Sequence, residues 1–168
     1  MKNILIVGCG LLGSSLLRRI HKKKIAKKIF VYEKSKSNIS KIKKLKLPAK
    51  IVKTLKDGAI NSDLIIFCTP MSEYKKLILK LNKINLSNTL ITDIGSSKIE
   101  SSKIIKKFLR KDLNWIQSHP IAGSEVSGPE NGKEDMFVNR WCILIRDKNI
   151  KKNNLNILIK FWKKIGSK

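Results

Sequence analysis

The stretch Val7-Gly8-Cys9-Gly10-Leu11-Leu12-Gly13-Ser14-Ser15-Leu16-Leu17 follows the apolar run Ile4-Leu5-Ile6-Val7 and opens a helical pattern that reaches about His21. Strand, glycine turn and helix succeed one another with the Gly-x-Gly-x-x-Gly spacing of a dinucleotide site. Gly8 allows the tight turn after the strand. Gly10, with no Cβ, lets a pyrophosphate approach the backbone, and Gly13 lets the helix pack closely on the strand. The free N–H groups and partial positive charge of the helix start would hold the phosphates. Gly8, Cys9, Gly10, Leu11, Leu12 and Gly13 are therefore the expected cofactor cradle, with a purely structural glycine turn as the competing reading.

Outward from this turn, strand and helix patterns alternate. Residues 28–33 read as a second strand, and Ser37-Asn38 could cap a helix through Leu45. Residues 50–52 form a short strand, followed by a weak helical turn over 55–60 that Asp57-Gly58 could break. Residues 63–69 are continuously apolar, as expected of a strand covered on both faces. Pro70 ends that strand and Ser72 caps a helix to about Lys83. Strands over 89–93, 114–117 and 141–145, with helices from Gly95-Ser96 to about Arg110 and over 155–165, complete the pattern. Between His119 and Gly132 lies a loop with three glycines and two prolines, long enough to suggest a functional role. The alternation predicts an α/β fold with a doubly wound, mostly parallel sheet of Rossmann type, in one domain.

The chain has 168 residues, 42% of them apolar, which suits a globular domain. Its formal net charge is +25. A nucleic-acid or membrane partner is one reading of such an excess. The lysines are spread along the whole chain, however, and no arginine-rich arm, zinc spacing or aromatic RNA-binding signature accompanies them. A solvated basic surface is the favoured reading, so no nucleic acid and no membrane are expected as partners, and no metal. Cys9, Cys68 and Cys142 are odd in number and lack a Cys-x-x-Cys pair, which fits reduced thiols in a cytoplasmic protein. No run is long enough to span a membrane, and no small-residue cleavage site follows the first apolar stretch.

Several strand ends carry polar groups, and in open α/β sheets ligands bind outside the carboxyl ends of the strands. Glu33 lies twenty residues beyond Gly13, where a carboxylate can bond the ribose hydroxyls and favour NAD; Lys34, Ser35 and Lys36 keep NADP as the alternative. Thr69-Pro70 would pass beside the cofactor, although Pro70 alone could be a strand terminator. Asp93-Ile94-Gly95-Ser96-Ser97-Lys98 is the same kind of site one strand further on. Ser96 is either a donor pointing into the crevice or a helix N-cap. His119 follows a strand too. It is either a structural histidine or the base for an alcohol oxidation.

Taken together, these stretches resemble the prephenate and arogenate dehydrogenase family. The resemblance is carried by residues 6–16, by Asp93-Ile94-Gly95-Ser96-Ser97-Lys98, and most specifically by Ser118-His119-Pro120-Ile121-Ala122-Gly123-Ser124-Glu125-Val126-Ser127-Gly128. Asp135-Met136-Phe137 matches the family's acid-x-Phe segment. The resemblance implies NAD(P)-linked oxidative decarboxylation of prephenate to 4-hydroxyphenylpyruvate, a step towards tyrosine, with arogenate as the nearest variant substrate. It implies that His119 takes the proton of the ring 4-hydroxyl, that Ser96 binds the same hydroxyl and orients His119, and that Ser124 and Glu125 line the substrate pocket. It places Asp93 with the cofactor residues. Family members usually continue into a helical dimerisation domain that closes the pocket and adds an arginine and a histidine. The resemblance therefore implies that residues 1–168 lack this domain. A homodimer, a separate helical partner, or a non-catalytic NAD-binding module are the arrangements left open.

Overall fold

The structure, a computed structural model, describes residues 1–145 and 150–168. In chain order the elements are β1 (Asn3–Val7), α1 (Leu11–Lys22), β2 (Lys28–Tyr32), α2 (Lys36–Lys44), β3 (Lys50–Ile51), α3 (Leu55–Ala59), β4 (Leu64–Phe67), α4 (Tyr74–Leu81), β5 (Leu90–Asp93), α5 (Lys98–Phe108), β6 (Asn114–Pro120), β7 (Cys142–Ile145) and α6 (Lys152–Ile165). Among the described residues the strands form one seven-stranded sheet in the order β3-β2-β1-β4-β5-β6-β7. The first six strands in that row run parallel, and β7 is antiparallel to β6. This is the doubly wound, mostly parallel Rossmann-type sheet expected from the alternation. Strand order reverses between β1 and β4, so a crevice opens there at the carboxyl ends of the strands.

Alternation along β1 distributes the core between two layers. Ile4 and Ile6 face Leu16, Leu17 and Ile20 of α1 and Phe161, Trp162 and Ile165 of α6. Leu5 and Val7 face the other way, into a layer with Leu55 of α3 and Tyr74, Leu77 and Ile78 of α4. Phe67, Tyr74 and Trp115 form an aromatic cluster in this second layer, with ring centroids 4.7–5.9 Å apart. Helices thus cover both faces, which explains why β4 is buried throughout and β1 from Ile4 onward.

The glycine turn is as tight as its sequence requires. Gly8 has φ +88°, and a Cβ on Gly13 would lie 2.2 Å from the Gly8 carbonyl oxygen. Only a residue without a side chain lets α1 start this close to the end of β1.

Several local expectations are corrected. The N-cap of α2 is Ser35, which accepts from the Asn38 amide at 3.2 Å, and not Ser37 or Asn38. Ser72 caps nothing through its side chain; a 3-10 turn over Met71–Glu73 leads into α4. Asp57-Gly58 does not break its helix. Thr54 and Asp57 form a reciprocal capping box, and Gly58 packs on Leu5. Trp141 lies outside β7 and is 68% exposed, alongside exposed Ile143 and Ile145 on that edge strand. The loop after β6 folds back over α1: the Lys133 amide donates to Ser15 Oγ at 3.0 Å, and Phe137 is fully buried.

The two glycines of the turn should separate cleanly on substitution. Gly13→Ala is expected to cost about 1–3 kcal/mol in urea unfolding, because its Cβ meets backbone that cannot give way. Gly10→Ala should stay within about 0.5 kcal/mol of the parent, since nothing lies within 4 Å of its Cβ position. Equal losses at the two sites would contradict the packing described.

Candidate active site

The crevice at the strand ends is a cavity of about 630 Å³. Gly10, Leu11 and Leu12 form one wall, at the start of α1. Thr69 and Pro70, just after β4, lie on its floor, and Gly95 and Ser96, after β5, continue it. His119 of β6 stands on the far side, with Val126, Ser127 and Gly128 of the following loop. Larger depressions exist beside β3 (about 740 Å³) and beyond the loop (about 820 Å³). Neither combines the glycine turn with His119, so the crevice is the chemically equipped one.

Two features of this wall suit an anionic group. Gly10 is the N-cap residue of α1 and provides no side-chain cap, so the first-turn amides are not claimed by it. The space over Gly10 is open to at least 4 Å from where a Cβ would stand. A third feature is Thr69 Oγ1, buried with no hydrogen-bond partner. A buried hydroxyl left unpaired is costly unless something else satisfies it, and Thr69 lines both the crevice and its side pocket. The residues present therefore fit a dinucleotide.

The side pocket, about 230 Å³, shares Thr69 and Pro70 with the crevice and is bounded by Gly8, Tyr32, Glu33 and Ser35. Glu33 stands at its mouth. Its carboxylate accepts from the Cys9 amide at 2.8 Å and from the Lys34 and Ser35 amides at 2.7 and 2.9 Å. The carboxylate thus braces the glycine turn, a role that the sequence did not disclose.

Ser96 is not the helix cap. Ser97 occupies the cap position of α5, without a side-chain bond, while Ser96 lines the crevice. His119 lies within β6, paired opposite Ile143, rather than at the start of the loop. Its imidazole is half-buried. Burial first, and the Lys98 charge second, hold its titration below the ordinary histidine range, with Asp93 opposing them. The ring is thus kept in its neutral form around neutral pH, as a proton acceptor must be.

Five expected site residues line neither the crevice nor its side pocket: Cys9 and Gly13, buried within the glycine turn, and Asp93, Ser124 and Glu125. Asp93, expected among the cofactor residues, is fully buried and faces the second core layer. Its Oδ2 accepts from Lys98 Nζ at 2.6 Å, Tyr74 OH at 3.1 Å and the Gly95 amide at 3.3 Å. Its Oδ1 accepts from Trp115 Nε1 at 3.3 Å and the Ser118 amide at 3.4 Å. A carboxylate so enclosed organises the strand ends from within the core. Ser124 lines the depression beyond the loop instead, and Glu125 is exposed and lines neither the crevice nor its side pocket.

The model of the prephenate dehydrogenase nucleotide-binding domain matches residues 16–168. The chain belongs to this family. A cyclohexadienyl dehydrogenase from Zymomonas mobilis is 26% identical over 167 residues, covering 99% of the chain and 57% of that protein. A prephenate dehydrogenase from Lactococcus lactis is 31% identical over 149 residues, covering 88% of the chain and 42% of that protein. The solved prephenate dehydrogenase of A. aeolicus, in complex with hydroxyphenyl propionate and NAD+, superposes with a TM-score of 0.82 at 26% identity, over all of this chain and 58% of that one. The chain spans about half the length of these relatives.

Removing one partner from the Asp93 node should be costly, because the other charge is then buried alone. Asp93→Ala leaves Lys98 buried without its partner, and a loss of about 3–5 kcal/mol is expected in denaturant unfolding. A loss under about 1 kcal/mol would show that the carboxylate is not the organising group.

Proposed function

We propose that this domain serves the NAD-linked oxidative decarboxylation of prephenate to 4-hydroxyphenylpyruvate. The observation that carries this reading is that one crevice contains both the glycine turn and, across from it, Ser96 and His119. The family membership and the NAD+ complex of the A. aeolicus relative support it. Arogenate is the nearest alternative substrate, because a Synechocystis relative of the same fold is named for it.

In this reading the α1 amides and the open backbone at Gly10 receive the pyrophosphate, and Glu33 turns from the Cys9 amide to the ribose hydroxyls. When bound, NAD accepts the hydride. Ser96 donates to or accepts from the ring 4-hydroxyl, and His119 takes that hydroxyl's proton. As the C–H electrons leave, the ring carboxylate departs as carbon dioxide, its bonding pair completes the aromatic ring, and the His119 imidazolium returns the proton to the ring oxygen, giving the phenol. A positioned base of this kind contributes about 10²–10⁴-fold. Prephenate carries two carboxylates, and the surplus of basic residues would favour its approach. The remainder of the pocket, with Glu125 turned inward, is supplied by a helical partner, either a further segment or a second chain. The exposed Trp141, Ile143 and Ile145 offer such a partner an apolar seat. The free thiols Cys9, Cys68 and Cys142 support a reducing, cytoplasmic setting.

The test is prephenate-dependent NADH formation. His119→Asn should lower turnover by about 10²–10⁴-fold while leaving NAD affinity nearly unchanged. Equal loss of both would contradict its role as base. Protonated His119 cannot accept a proton, so activity should rise with pH along an acid limb lying below the ordinary histidine range. A limb above that range would contradict the reading. Glu33→Ala should raise NADP affinity relative to NAD, and an unchanged ratio would remove its ribose role.

A further inference from the structure

Lys98 is the one member of the Asp93 cluster whose position is unfavourable on every local ground. It is the first residue of α5, where the helix dipole disfavours a cation. Its side chain is only 11% exposed, in a protein whose other lysines have a large surface available to them. Burial pulls its titration down, and the Asp93 charge offsets this in part. A buried ion pair contributes little net stability compared with a well-packed apolar pair. Something other than folding must account for a buried ammonium at this place.

The geometry around Asp93 indicates what that is. The same carboxylate that accepts from Lys98 Nζ at 2.6 Å also accepts from the Gly95 amide, in the turn that carries Ser96. It accepts as well from the Ser118 amide, one residue before His119. One buried anion thus fixes the relative placement of the two crevice residues and of the Lys98 charge. We propose that Lys98 is a positioning residue for the His119 base: clamped by Asp93, its ammonium group presents a fixed positive charge to the imidazole and keeps it ready to accept a proton. This rests on the reading of His119 as the base. Lys98 does not line the crevice and touches no reacting atom.

The charges that act on the imidazole from neighbouring elements are Lys98 of α5 and Asp93 of β5. Three other titratable groups around the carboxylate are neutral. Cys142 of β7 has a thiol pushed up to about 12, chiefly by burial. Cys68, just after β4, has a thiol raised by burial first, then by Cys9 and Asp93. Tyr74 of α4 has a phenol raised by burial and by Asp93. With all three silent, the competition at His119 is between Lys98 and Asp93, and Lys98 is the stronger influence.

The chain has only two histidines, so their imidazole C2 protons can be titrated individually by NMR, with His119→Asn assigning the resonance. Lys98→Met is expected to move the His119 midpoint upward, and Lys98→Arg to leave it near the parent value. An unmoved midpoint in a folded Lys98→Met chain, or an equal shift in Lys98→Arg, overturns the proposal. Should Lys98→Met fail to fold, Asp93→Asn/Lys98→Met removes both charges and keeps an uncharged cluster. Its midpoint must still rise, and one equal to or below the parent's overturns the proposal. The titration requires neither NAD nor prephenate. Failure of the wild-type chain to turn over prephenate would therefore sink the proposed reaction without touching this result, and an unmoved midpoint would sink the role of Lys98 and leave the reaction standing.

Discussion

The contact between the Gly13 backbone and the Gly8 carbonyl governs the site. It allows α1 to begin at the very end of β1, so that the positive end of a twelve-residue helix faces the crevice between β1 and β4. A side chain at Gly13 would push the helix outward and carry Gly10, Leu11 and Leu12 away from Thr69. With the helix in place, the wall opposite His119 includes the uncapped first turn of α1 and the open backbone at Gly10. That is what a pyrophosphate requires, and it leaves the chemistry to the other side of the crevice.

Acidic residues are scarce, twelve against thirty-seven lysines and arginines, and their use is concentrated. Four of them accept backbone amides at junctions. Glu33 braces the glycine turn, Asp57 caps α3, Asp63 receives the Lys2 and Asn3 amides at the start of β1, and Asp93 joins the ends of β5 and β6. Others tie the loop after β6 to the frame: Glu130 and Glu134 pair with Lys41 of α2 and Lys22 of α1. The glycine-rich loop over the crevice is thus held partly by exposed ion pairs, which are weak and screened by salt. The His119 strand beneath it is held by buried hydrogen bonds, including Thr92 Oγ1 to Ser118 Oγ at 2.7 Å and Trp162 Nε1 to Ser118 Oγ at 3.0 Å.

How legible this was depended on whether the deciding signal was local. The β1-turn-α1 unit could be read because spacing and apolar runs are properties of neighbouring residues. So could the strand-end positions of Thr69, Ser96 and His119. The inward turn of Asp93 was not legible, because a strand-end carboxylate reads the same whether it turns toward the crevice or into the core. The donors that draw it inward, Tyr74 and Trp115, come from other elements. The extension of β6 through His119 to Pro120 depends on pairing with β7, more than twenty residues downstream. The helix caps shifted by a residue or two because runs such as Ser35-Lys36-Ser37-Asn38 offer several equivalent caps. Ser124 and Glu125 fall in a glycine-rich loop with no period, where the backbone alone does not say which side chains turn inward.

The central claim is that ligand lies between the glycine turn and the imidazole of His119. A crystal structure of this chain soaked with NAD and hydroxyphenyl propionate tests it most directly. Density should run from the Gly10 backbone across Thr69, with the phenol oxygen within hydrogen-bonding reach of both Ser96 and His119. Density in the depression beside β3 or beyond the loop, with His119 turned away from both ligands, would contradict it.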